Sequence, residues 1–445
     1  MARDIAVLGG GVLGLTTALR LLQRGHRVSV FEREAEPGGL AAGFRVREAD
    51  PVAADAGTVE DVWLEKFYHH LFRSDRAIIR LITELGLGHQ LEWRRPLTVT
   101  LLGGTVYQLD SALSVLRFKP LSPTDRLRMG AAIAVLRLLP SPEPLEGRRA
   151  APWIRGAMGR ASYEAVWRPL LTGKFGAVAD EIALPWFWGR VHDRTPELGY
   201  MRGGFQRFYN ALADRIRSLG GTLQLTTEVR QIATSEDAFT VTYAPLAEPQ
   251  ATTVRSFEQV ISTLPTRVTL RLAPQLPEAY RARYDWGRAY GAHCLILALD
   301  RPLTQSYWMN VNDPGYPFMV LVEHTNYMPL EDYGGRHLIY LGNYRPMDDP
   351  LFKMSHDEVL REFLPHLARI NPAFAPSWVQ ESWMFAASYA QPIVTTDYRA
   401  HIPPFETPLP GLYLANMFQV YPHDRGQNYS VELAERLVAQ LEGQR

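Results

Sequence analysis

The chain has 445 residues, of which 46% are hydrophobic, so it can bury a sizeable core, and its length predicts two or three domains. Basic and acidic residues number 47 each, so the positive excess that is typical of nucleic-acid-binding proteins is absent. Cys294 is the only cysteine, which excludes an intrachain disulfide and a cysteine-based metal site and favours a reducing, cytoplasmic location.

A strand–turn–helix–strand pattern occupies the N-terminal end. Residues 5–8 form a short apolar run, residues 12–23 place apolar side chains along one helical face, and residues 27–32 read as a second strand. The turn between the first strand and the helix reads GGGVLG. This arrangement is typical of a Rossmann-like unit in an α/β protein.

The glycine-rich turn predicts a binding site for the pyrophosphate of a dinucleotide. Gly9 permits a tight turn, Gly11 lets the backbone approach the phosphates, and Gly14 allows the helix to pack closely on the strand. The helix N-terminus offers free N–H groups and a partial positive charge. It therefore adds Val12 and Leu13 to the predicted site.

The residues that follow the second strand distinguish FAD from NAD. Glu32 can accept both hydroxyls of an adenosine ribose, and Gly38 and Gly39 follow it in the spacing E-x5-G-G. This pattern resembles the extended fingerprint of the flavoprotein superfamily of amine oxidases, phytoene desaturases and protoporphyrinogen oxidases. The resemblance implies FAD as cofactor and places Arg33 and Leu40 in its site as well. Leu40 departs from the arginine that many members carry there.

Three segments in the middle of the chain resemble further elements of the same superfamily. Residues 199–221 look like the family's glycine pair followed by a helix. Residues 222–232 contain a strand expected to end near Val229, whose backbone pairs with the adenine ring in similar proteins. Residues 257–266 resemble the strand that returns to the sheet beside the cofactor and leaves it through a proline.

The C-terminal segment, PGLYLANMFQVYPHDRGQNYSVELAERLVAQL, resembles the flavin-binding end of these proteins. A helix is predicted from about 427 to 442, and its N-terminus would stabilise the negative charge of a reduced flavin. The resemblance therefore places Gly426, Gln427 and Asn428 beside the flavin. Asn416 stands where relatives usually carry an acid that meets the ribityl chain or the phosphate.

These segments together predict an α/β fold with two domains. A discontinuous, Rossmann-like FAD-binding domain would comprise residues 1–62, 199–266 and 397–445. A substrate domain of mixed or antiparallel sheet with a helical insertion would comprise residues 63–198 and 267–396. Strands of that second domain are predicted at 292–300, 336–344 and 378–392.

Three residues are the candidates for catalysis: His70, Lys174 and Tyr389. His69 and His70 are adjacent, so only one of them should face the flavin if the segment is a strand, and a structural bond to the backbone is an equal alternative. Lys174 lies in the aromatic segment 167–194, which could line an apolar pocket or pack in the core. Tyr389 is expected to face the substrate, because many relatives place an aromatic residue before a short apolar segment at the flavin face.

The resemblance implies an oxidoreductase that moves a hydride from an apolar or amphipathic small molecule to flavin N5. The stretch YHHLF at residues 68–72 also resembles, loosely, UDP-galactopyranose mutases, which use flavin without net redox change. That alternative requires arginines that grip a pyrophosphate, for which Arg168, Arg190 and Arg194 are available. A non-catalytic FAD-binding protein is a third reading. No metal site is expected, because no third ligand joins the two histidines.

Residues 113–139 could lie on a membrane surface. Ser122 and Pro123 predict the start of a helix that carries arginines on an otherwise apolar body. Packing of this helix in the substrate domain is the alternative. We expect neither a cleavable signal nor a membrane-spanning helix, because the first strand starts close to the N-terminus and long apolar runs are absent.

Overall fold

The computed structural model describes residues 2–47, 61–236 and 238–443. The predicted domain segment 1–62 therefore includes residues 48–60, which lie outside the described residues. The strands, in chain order, are β1 (Asp4–Leu8), β2 (Arg27–Phe31), β3 (Gly43–Arg47), β4 (Val62–Glu65), β5 (Leu71–Phe72), β6 (Leu91–Arg94), β7 (Thr98–Leu102), β8 (Thr105–Gln108), β9 (Leu198–Met201), β10 (Thr222–Gln224), β11 (Thr227–Ser235), β12 (Ala238–Pro245), β13 (Thr253–Phe257), β14 (Gln259–Ser262), β15 (Ala289–Leu299), β16 (Trp308–Val311), β17 (Val320–Glu323), β18 (His337–Arg345), β19 (Val379–Pro392) and β20 (Leu412–Leu414). The α-helices are α1 (Val12–Leu22), α2 (Arg76–Glu84), α3 (Ala112–Leu116), α4 (Pro123–Leu138), α5 (Ala150–Met158), α6 (Arg160–Ser162), α7 (Arg168–Phe175), α8 (Leu184–His192), α9 (Gln206–Ser218), α10 (Thr266–Leu272), α11 (Glu278–Tyr284), α12 (His356–Ile370) and α13 (Gln427–Leu441).

A parallel sheet carries the N-terminal unit. Its strand order is β10–β2–β1–β14–β20, and every neighbouring pair is parallel. The strands come from three separate stretches of the chain, so the predicted discontinuous, Rossmann-like α/β fold is confirmed. The assignment of whole domains to the predicted residue ranges stays a prediction.

Strand β1 is buried on both faces, as expected for the centre of a parallel sheet. Ile5 and Val7 pack into the core formed with helices α1, α9 and α13. Ala6 and Leu8 point to the opposite face and pack with side chains of the antiparallel sheet β11–β12–β13. Because successive side chains of β1 point to opposite faces, this strand packs against the helices on one side and against the antiparallel sheet on the other.

A second large sheet has the strand order β19–β15–β18–β17–β16–β7–β8. Its pairs are antiparallel except for β16 with β7, so the predicted mixed sheet is confirmed. The strands predicted at 292–300, 336–344 and 378–392 are observed as β15, β18 and β19. Helix α12 covers one face, where Val359, Phe363 and Leu367 join the sheet's core.

The helices α3 to α8 form the predicted helical insertion, with a core of their own. Trp186 and Phe187 are fully buried there, so core packing is confirmed for these aromatic residues. Helix α4 begins as predicted: Ser122 caps it by accepting a hydrogen bond from the backbone of Asp125, and Pro123 follows. Among the described residues, none of the helices combines the length and the apolar character needed to cross a bilayer.

Two local predictions are wrong. Thr226 has a positive φ of 49°, which ends β10 and starts a new strand, so Val229 lies near the beginning of β11 rather than at a strand end. His69 and His70 precede β5 in a non-strand segment, so the alternation rule does not apply to them. Both errors fall where a turn interrupts an apolar pattern that reads as a continuous strand.

Candidate active site

A cavity of about 430 Å³ opens where the carboxyl ends of the parallel strands meet the second sheet and the helical insertion. In parallel α/β sheets, ligands bind at this edge. Most of the site residues predicted from the sequence line it. These are Gly9, Gly11, Val12, Leu13, Glu32, Gly38, Gly39, Leu40, His70, Lys174, Tyr389, Asn416, Gly426, Gln427 and Asn428.

The glycines shape one end of this cavity. Gly9 has a φ of +107°, and a Cβ on Gly14 would lie 1.9 Å from the Gly9 carbonyl oxygen, so a side chain at Gly14 would push α1 off β1. Gly38 has a φ of +123° and donates its N–H to the Gly10 carbonyl at 2.9 Å. The two glycine turns are thereby held against each other.

Gly11 is the glycine that leaves space toward the cavity. A Cβ on Gly11 would meet only the Cα of Gly39, at 3.8 Å. Helix α1 starts here without a side-chain cap and without an acidic residue in its first turn. Its first N–H groups and the positive end of its dipole are therefore available to an anion.

Glu32 lies directly after β2, at the cavity wall. Its carboxylate accepts hydrogen bonds from the backbone N–H groups of Gly10 and Glu34. Burial raises the pKa of Glu32, while these two N–H groups oppose the increase. The backbone thus fixes the orientation of a carboxylate that has further acceptor capacity toward the cavity.

The C-terminal side of the cavity contains a donor with no partner. Gln427 begins α13, and its Oε1 accepts a hydrogen bond from the hydroxyl of Tyr209 at 2.6 Å. The Nε2 of Gln427 is buried and has no hydrogen-bond partner among the described residues. Helix α13 also begins without a side-chain cap, at Gly426.

The side chains of Asn416 and Asn428 form hydrogen bonds with other parts of the protein. Asn416 donates to the Leu264 carbonyl at 2.9 Å and to the Thr266 hydroxyl at 3.1 Å, which ties the ends of β20 and β14 together. Asn428 accepts from the backbone of Ala77 at 2.9 Å and so caps α2. For Asn428 the backbone is thus the part left for a ligand.

Three predicted cofactor residues do not line the cavity: Gly14, Arg33 and Val229. Gly14 acts through packing, as described above. Arg33 is exposed and lies 3.8 Å from Glu228. Val229 packs beside the aromatic residues that cover the outer face of the parallel sheet. Their contact with a cofactor stays a prediction.

His69 and His70 both contribute to the cavity wall. Because the segment is not a strand, the alternation that would let only one of them face the flavin does not apply. Nδ1 of His69 donates to the Phe67 carbonyl at 2.6 Å, and Nδ1 of His70 lies 3.3 Å from the Tyr307 hydroxyl. Burial lowers the pKa of His69 to about 4 and that of His70 to about 3. Both rings are therefore neutral near pH 7.

Lys174 forms a buried ion pair at the opposite wall. Its Nζ donates to Oδ2 of Asp424 at 2.7 Å, and Arg190 donates to the same oxygen at 3.3 Å. Burial lowers the pKa of Lys174, and the charges of Arg190 and Arg425 lower it further against the attraction of Asp424. Burial alone would raise the pKa of Asp424, but Lys174 and both arginines hold it well below its usual range.

Tyr389 lies in a strained part of β19. Its φ is +55°, in the left-handed region that side chains rarely adopt, at a register shift between β15 and β19. This bulge places Tyr389 in the cavity wall. Such strain in a non-glycine residue often accompanies a functional site.

The loop before α13 divides its side chains between two tasks. Asp424 and Arg425 line the cavity, and Arg425 donates to the Tyr344 hydroxyl at 2.5 Å. Tyr421 instead donates to Glu146 at 2.7 Å, and His423 is paired with Asp193 at 2.6 Å. The polar residues of this loop therefore form both the wall and its support.

Sequence reasoning missed several wall residues, among them Trp308 and Tyr344. Trp308 packs edge-on against Tyr68 and His70, with ring centroids 5.0 Å and 5.8 Å away. These residues lie on strands of the second sheet, whose local pattern gives no sign of a ligand. Their role follows from tertiary packing alone.

A second, larger cavity of about 740 Å³ adjoins the first. Apolar side chains of α3 and α4, together with Trp308 of β16, form much of its wall, and Thr98 and Thr100 of β7 add polar groups. The two cavities share the wall residues His70, Phe72, Leu170, Arg190, Arg194, Trp308, Asn310 and Asn312. Ligands in the two cavities would therefore lie next to each other, on either side of these shared residues.

The first cavity fits the phosphates and the ring of a flavin dinucleotide. The space above Gly11, two uncapped helix N-termini and the partnerless Nε2 of Gln427 each offer what an anionic, hydrogen-bonding cofactor requires. The fold and this site define a dinucleotide-binding α/β protein. Among the described residues, no cluster of three or more His, Cys, Asp or Glu side chains could hold a metal ion.

The chain belongs to the flavin containing amine oxidoreductase family, whose sequence model matches residues 14–423. The predicted FAD cofactor and the predicted class of flavin-dependent oxidoreductase agree with this family. A zeta-carotene desaturase of Zea mays is 26% identical over 188 residues, which cover 37% of this chain. That match spans only 31% of the desaturase.

Two solved structures resemble the whole chain. A protein from Exiguobacterium sp. 255-15, assigned as a protoporphyrinogen oxidase, has a TM-score of 0.76 at 16% identity, with complete coverage of both chains. A reduced UDP-galactopyranose mutase has a TM-score of 0.75 at 15% identity, covering 100% of this chain and 96% of the mutase. At such low identity the similarity establishes the fold alone.

Proposed function

We propose that the chain is a dehydrogenase that oxidises an apolar or amphipathic small molecule held in the second cavity. The observation that carries this proposal is the shared wall: the glycine-lined cavity and the larger apolar cavity meet at His70, Trp308 and Leu170. Apolar walls favour a substrate with a large hydrocarbon surface. FAD, when bound in the first cavity, supplies the acceptor for a hydride at N5.

The chain's own residues would bind the cofactor and orient the substrate. Gly11, Gln427 and the two helix N-termini would hold FAD, and Glu32 its ribose. Trp308 offers a rigid face and His70 a neutral ring at the wall that the two cavities share. Lys174, whose pKa is lowered by burial, could give or accept a proton at Nζ. Tyr389 lines the first cavity, and its expected contact with the substrate stays a prediction.

This function can be tested by mixing the holoprotein anaerobically with an isoprenoid polyene or a partly reduced tetrapyrrole. Loss of the visible absorbance of oxidised flavin is the expected result. Leu170→Trp should slow this bleaching without loss of FAD, because Leu170 lines both cavities and the larger ring would take up space where they meet. Bleaching by cationic amines, with none by apolar compounds, would argue against the proposal.

A second candidate function is a non-redox sugar mutase. It is favoured by the position of Arg190 and Arg194, which both line the shared wall. Arg168 does not contribute, because it is exposed and paired with Glu164 at 2.7 Å. Conversion of a UDP-sugar by the reduced protein, with no net change of flavin redox state, would favour this candidate over the dehydrogenase.

We further propose that α4 contacts an anionic membrane surface. Leu127, Val135 and Leu138 lie on one exposed face of the helix, at 64%, 60% and 82% exposure. Met129, Ala132 and Leu136 are buried on the other face, so the helix is also packed in the insertion. Leu127 lines the second cavity as well. The exposed apolar face thus lies beside that cavity, where an apolar substrate could enter from lipid.

A further inference from the structure

The wall of the second cavity is strongly basic, although the chain as a whole has equal numbers of acidic and basic residues. Five arginines line it, at positions 95, 126, 137, 190 and 194, against a single acidic residue, Asp110, among the residues that the structure describes. The difference, five minus one, is four positive charges. In a cavity with apolar walls such an excess attracts anions and repels cations.

Most of these guanidinium groups already have partners. Arg126 donates to the Leu121 carbonyl at 2.8 Å, and Arg137 donates to the carbonyls of Val191 and Arg194. Arg190 is paired with Asp424. Their positive charge remains, but their hydrogen bonds are committed to the protein.

Arg194 differs from these arginines. It lies at the shared wall of both cavities, with its guanidinium 5.5 Å from the centre of the Phe72 ring. Within residues 2–47, 61–236 and 238–443, no carboxylate lies within 4.0 Å of this guanidinium. Arg194 is exposed, and its side chain opens to both cavities. Burial and the nearby charge of Arg190 lower the pKa of Arg194 to about 9 against the attraction of Asp424 and Asp193, and the group stays cationic near pH 7.

Arg194 thus carries a positive charge without a carboxylate in direct contact, and the anionic group of a ligand can provide one. A guanidinium with free N–H groups matches the geometry of a carboxylate or a phosphate. Beyond Arg194 the second cavity continues between apolar side chains, which include Ile133, Val166 and Trp167. The cavity therefore offers one anion site and one hydrocarbon site in sequence.

We propose that the substrate is an amphipathic anion, whose carboxylate or phosphate binds Arg194 and whose hydrocarbon part fills the second cavity. This inference rests on the proposed function, because it takes the second cavity as the substrate site. It also implies that cationic amines are poor ligands, although the family is described by amine oxidation. The headgroup at Arg194 would hold the adjoining carbons at the wall that the second cavity shares with the first.

Calorimetric titration of the holoprotein tests the proposal with four ligands of equal chain length: decanoate, decyl phosphate, decanol and decylamine, each below its micelle-forming concentration. The anions should bind about 10-fold or more tightly than decanol, and decylamine most weakly, because hydrogen bonds to a charged group add affinity of that order. The better of the two anions identifies the headgroup. Equal or tighter binding of decanol or decylamine would overturn the proposal.

Variants of Arg194 test whether this residue causes the preference for anions. Arg194→Met should weaken anion binding by roughly 10- to 100-fold and leave decanol binding unchanged, while Arg194→Lys keeps part of the anion preference. Arg168→Met is the matched control, since Arg168 is exposed and lines neither cavity. Melting temperatures confirm that each variant is folded. Loss of decanol binding together with anion binding in Arg194→Met would contradict the assignment.

The flavin spectrum separates this inference from the proposed function. Binding beside the flavin should shift its visible absorbance. Anion-selective binding without such a shift would leave the anion site standing and remove the second cavity as the substrate site. If all four ligands shifted the flavin absorbance equally, the second cavity would remain the substrate site and the anion site at Arg194 would be removed. UDP is titrated as a fifth ligand. If UDP bound in a way that depends on Arg194 while decanoate did not bind, the hydrocarbon part of the proposal would be overturned.

Discussion

The ammonium group of Lys174 lies 2.7 Å from Oδ2 of Asp424, although the two residues are 250 positions apart. Asp424 also accepts from Arg190 and, at 3.3 Å, from the indole N–H of Trp186. This cluster joins the helical insertion to the loop before α13. The polar character of that loop is therefore explained in part by its contacts with the insertion.

Lys174→Met should lower the reduction potential of bound FAD. The reduced flavin carries negative charge, and Lys174 contributes one of the positive charges at the cavity wall. A decrease on the order of 30 mV is expected, which corresponds to about 1.4 kcal/mol for a two-electron couple. Equilibration with a reference dye measures it. Asp424→Asn is the opposite control and should raise the potential, whereas an unchanged potential in both variants would place the cluster away from the flavin.

Gly11→Val should abolish FAD retention without unfolding the protein. Gly11 has a φ of −72°, which valine can adopt, and the new side chain would point into open space between Gly11 and Gly39, where the cofactor's pyrophosphate is expected. The ratio of flavin to protein absorbance after purification measures the loss. Gly156→Val is the matched control on the exposed surface of α5, where a Cβ meets nothing within 4 Å. A variant that keeps its flavin would contradict the predicted phosphate site.

The sequence allowed prediction where a local pattern determines the structure. The G-x-G-x-x-G turn, the Ser122 cap and the strand β15 depend on neighbours in the chain, and all three are found in the structure. The helix from Gln427 is likewise observed, because its apolar periodicity is local. These features also define the glycine-lined part of the cavity.

The remaining wall could not be predicted, because tertiary packing alone brings it together. Arg425 meets Tyr344 across 81 positions, and no spacing in the chain signals that pair. Trp308 reads as an ordinary strand residue. Arg194 faces both cavities and has no carboxylate within 4.0 Å among the described residues. The only sign of this role in the sequence is the position of a basic residue just after α8, a helix that contains Trp186 and Trp188.

His324→Phe should flatten the dependence of stability on pH between about 4 and 6.5. Burial lowers the pKa of His324 to about 3 in the folded state, whereas an unfolded histidine takes up a proton below about 6.5. The unfolded state therefore binds more protons in this range, and the free energy of unfolding falls as the pH falls. The variant should lose about 1.4 kcal/mol per pH unit of that slope.

Urea unfolding at a series of pH values measures this slope. Tyr333→Phe is the control, because the Tyr333 hydroxyl lies 2.7 Å from Nε2 of His324. Loss of that hydrogen bond should change the free energy of unfolding by a similar amount at every pH. If Tyr333→Phe flattened the slope as much as His324→Phe did, titration of His324 would not be its source.

Replacement of the exposed apolar residues of α4 should abolish binding to lipid. The triple substitution Leu127→Ser, Val135→Ser and Leu138→Ser removes side chains that make few contacts with the protein, so the free energy of unfolding should change little. Sedimentation with vesicles of phosphatidylcholine and phosphatidylserine measures binding. Arg128, next to this face, gives a reason to expect a preference for the anionic lipid.

A matched control is available on the hairpin of β12 and β13. Leu246→Ser and Val254→Ser remove exposed apolar side chains there, at 40% and 60% exposure, and should leave sedimentation unchanged. If the wild-type protein stayed in the supernatant, or if the control variant lost binding as fully as the triple variant, α4 would not be a membrane-binding face. Its exposed leucines would then need another partner, because burial of such a face from water is favourable only when something covers it.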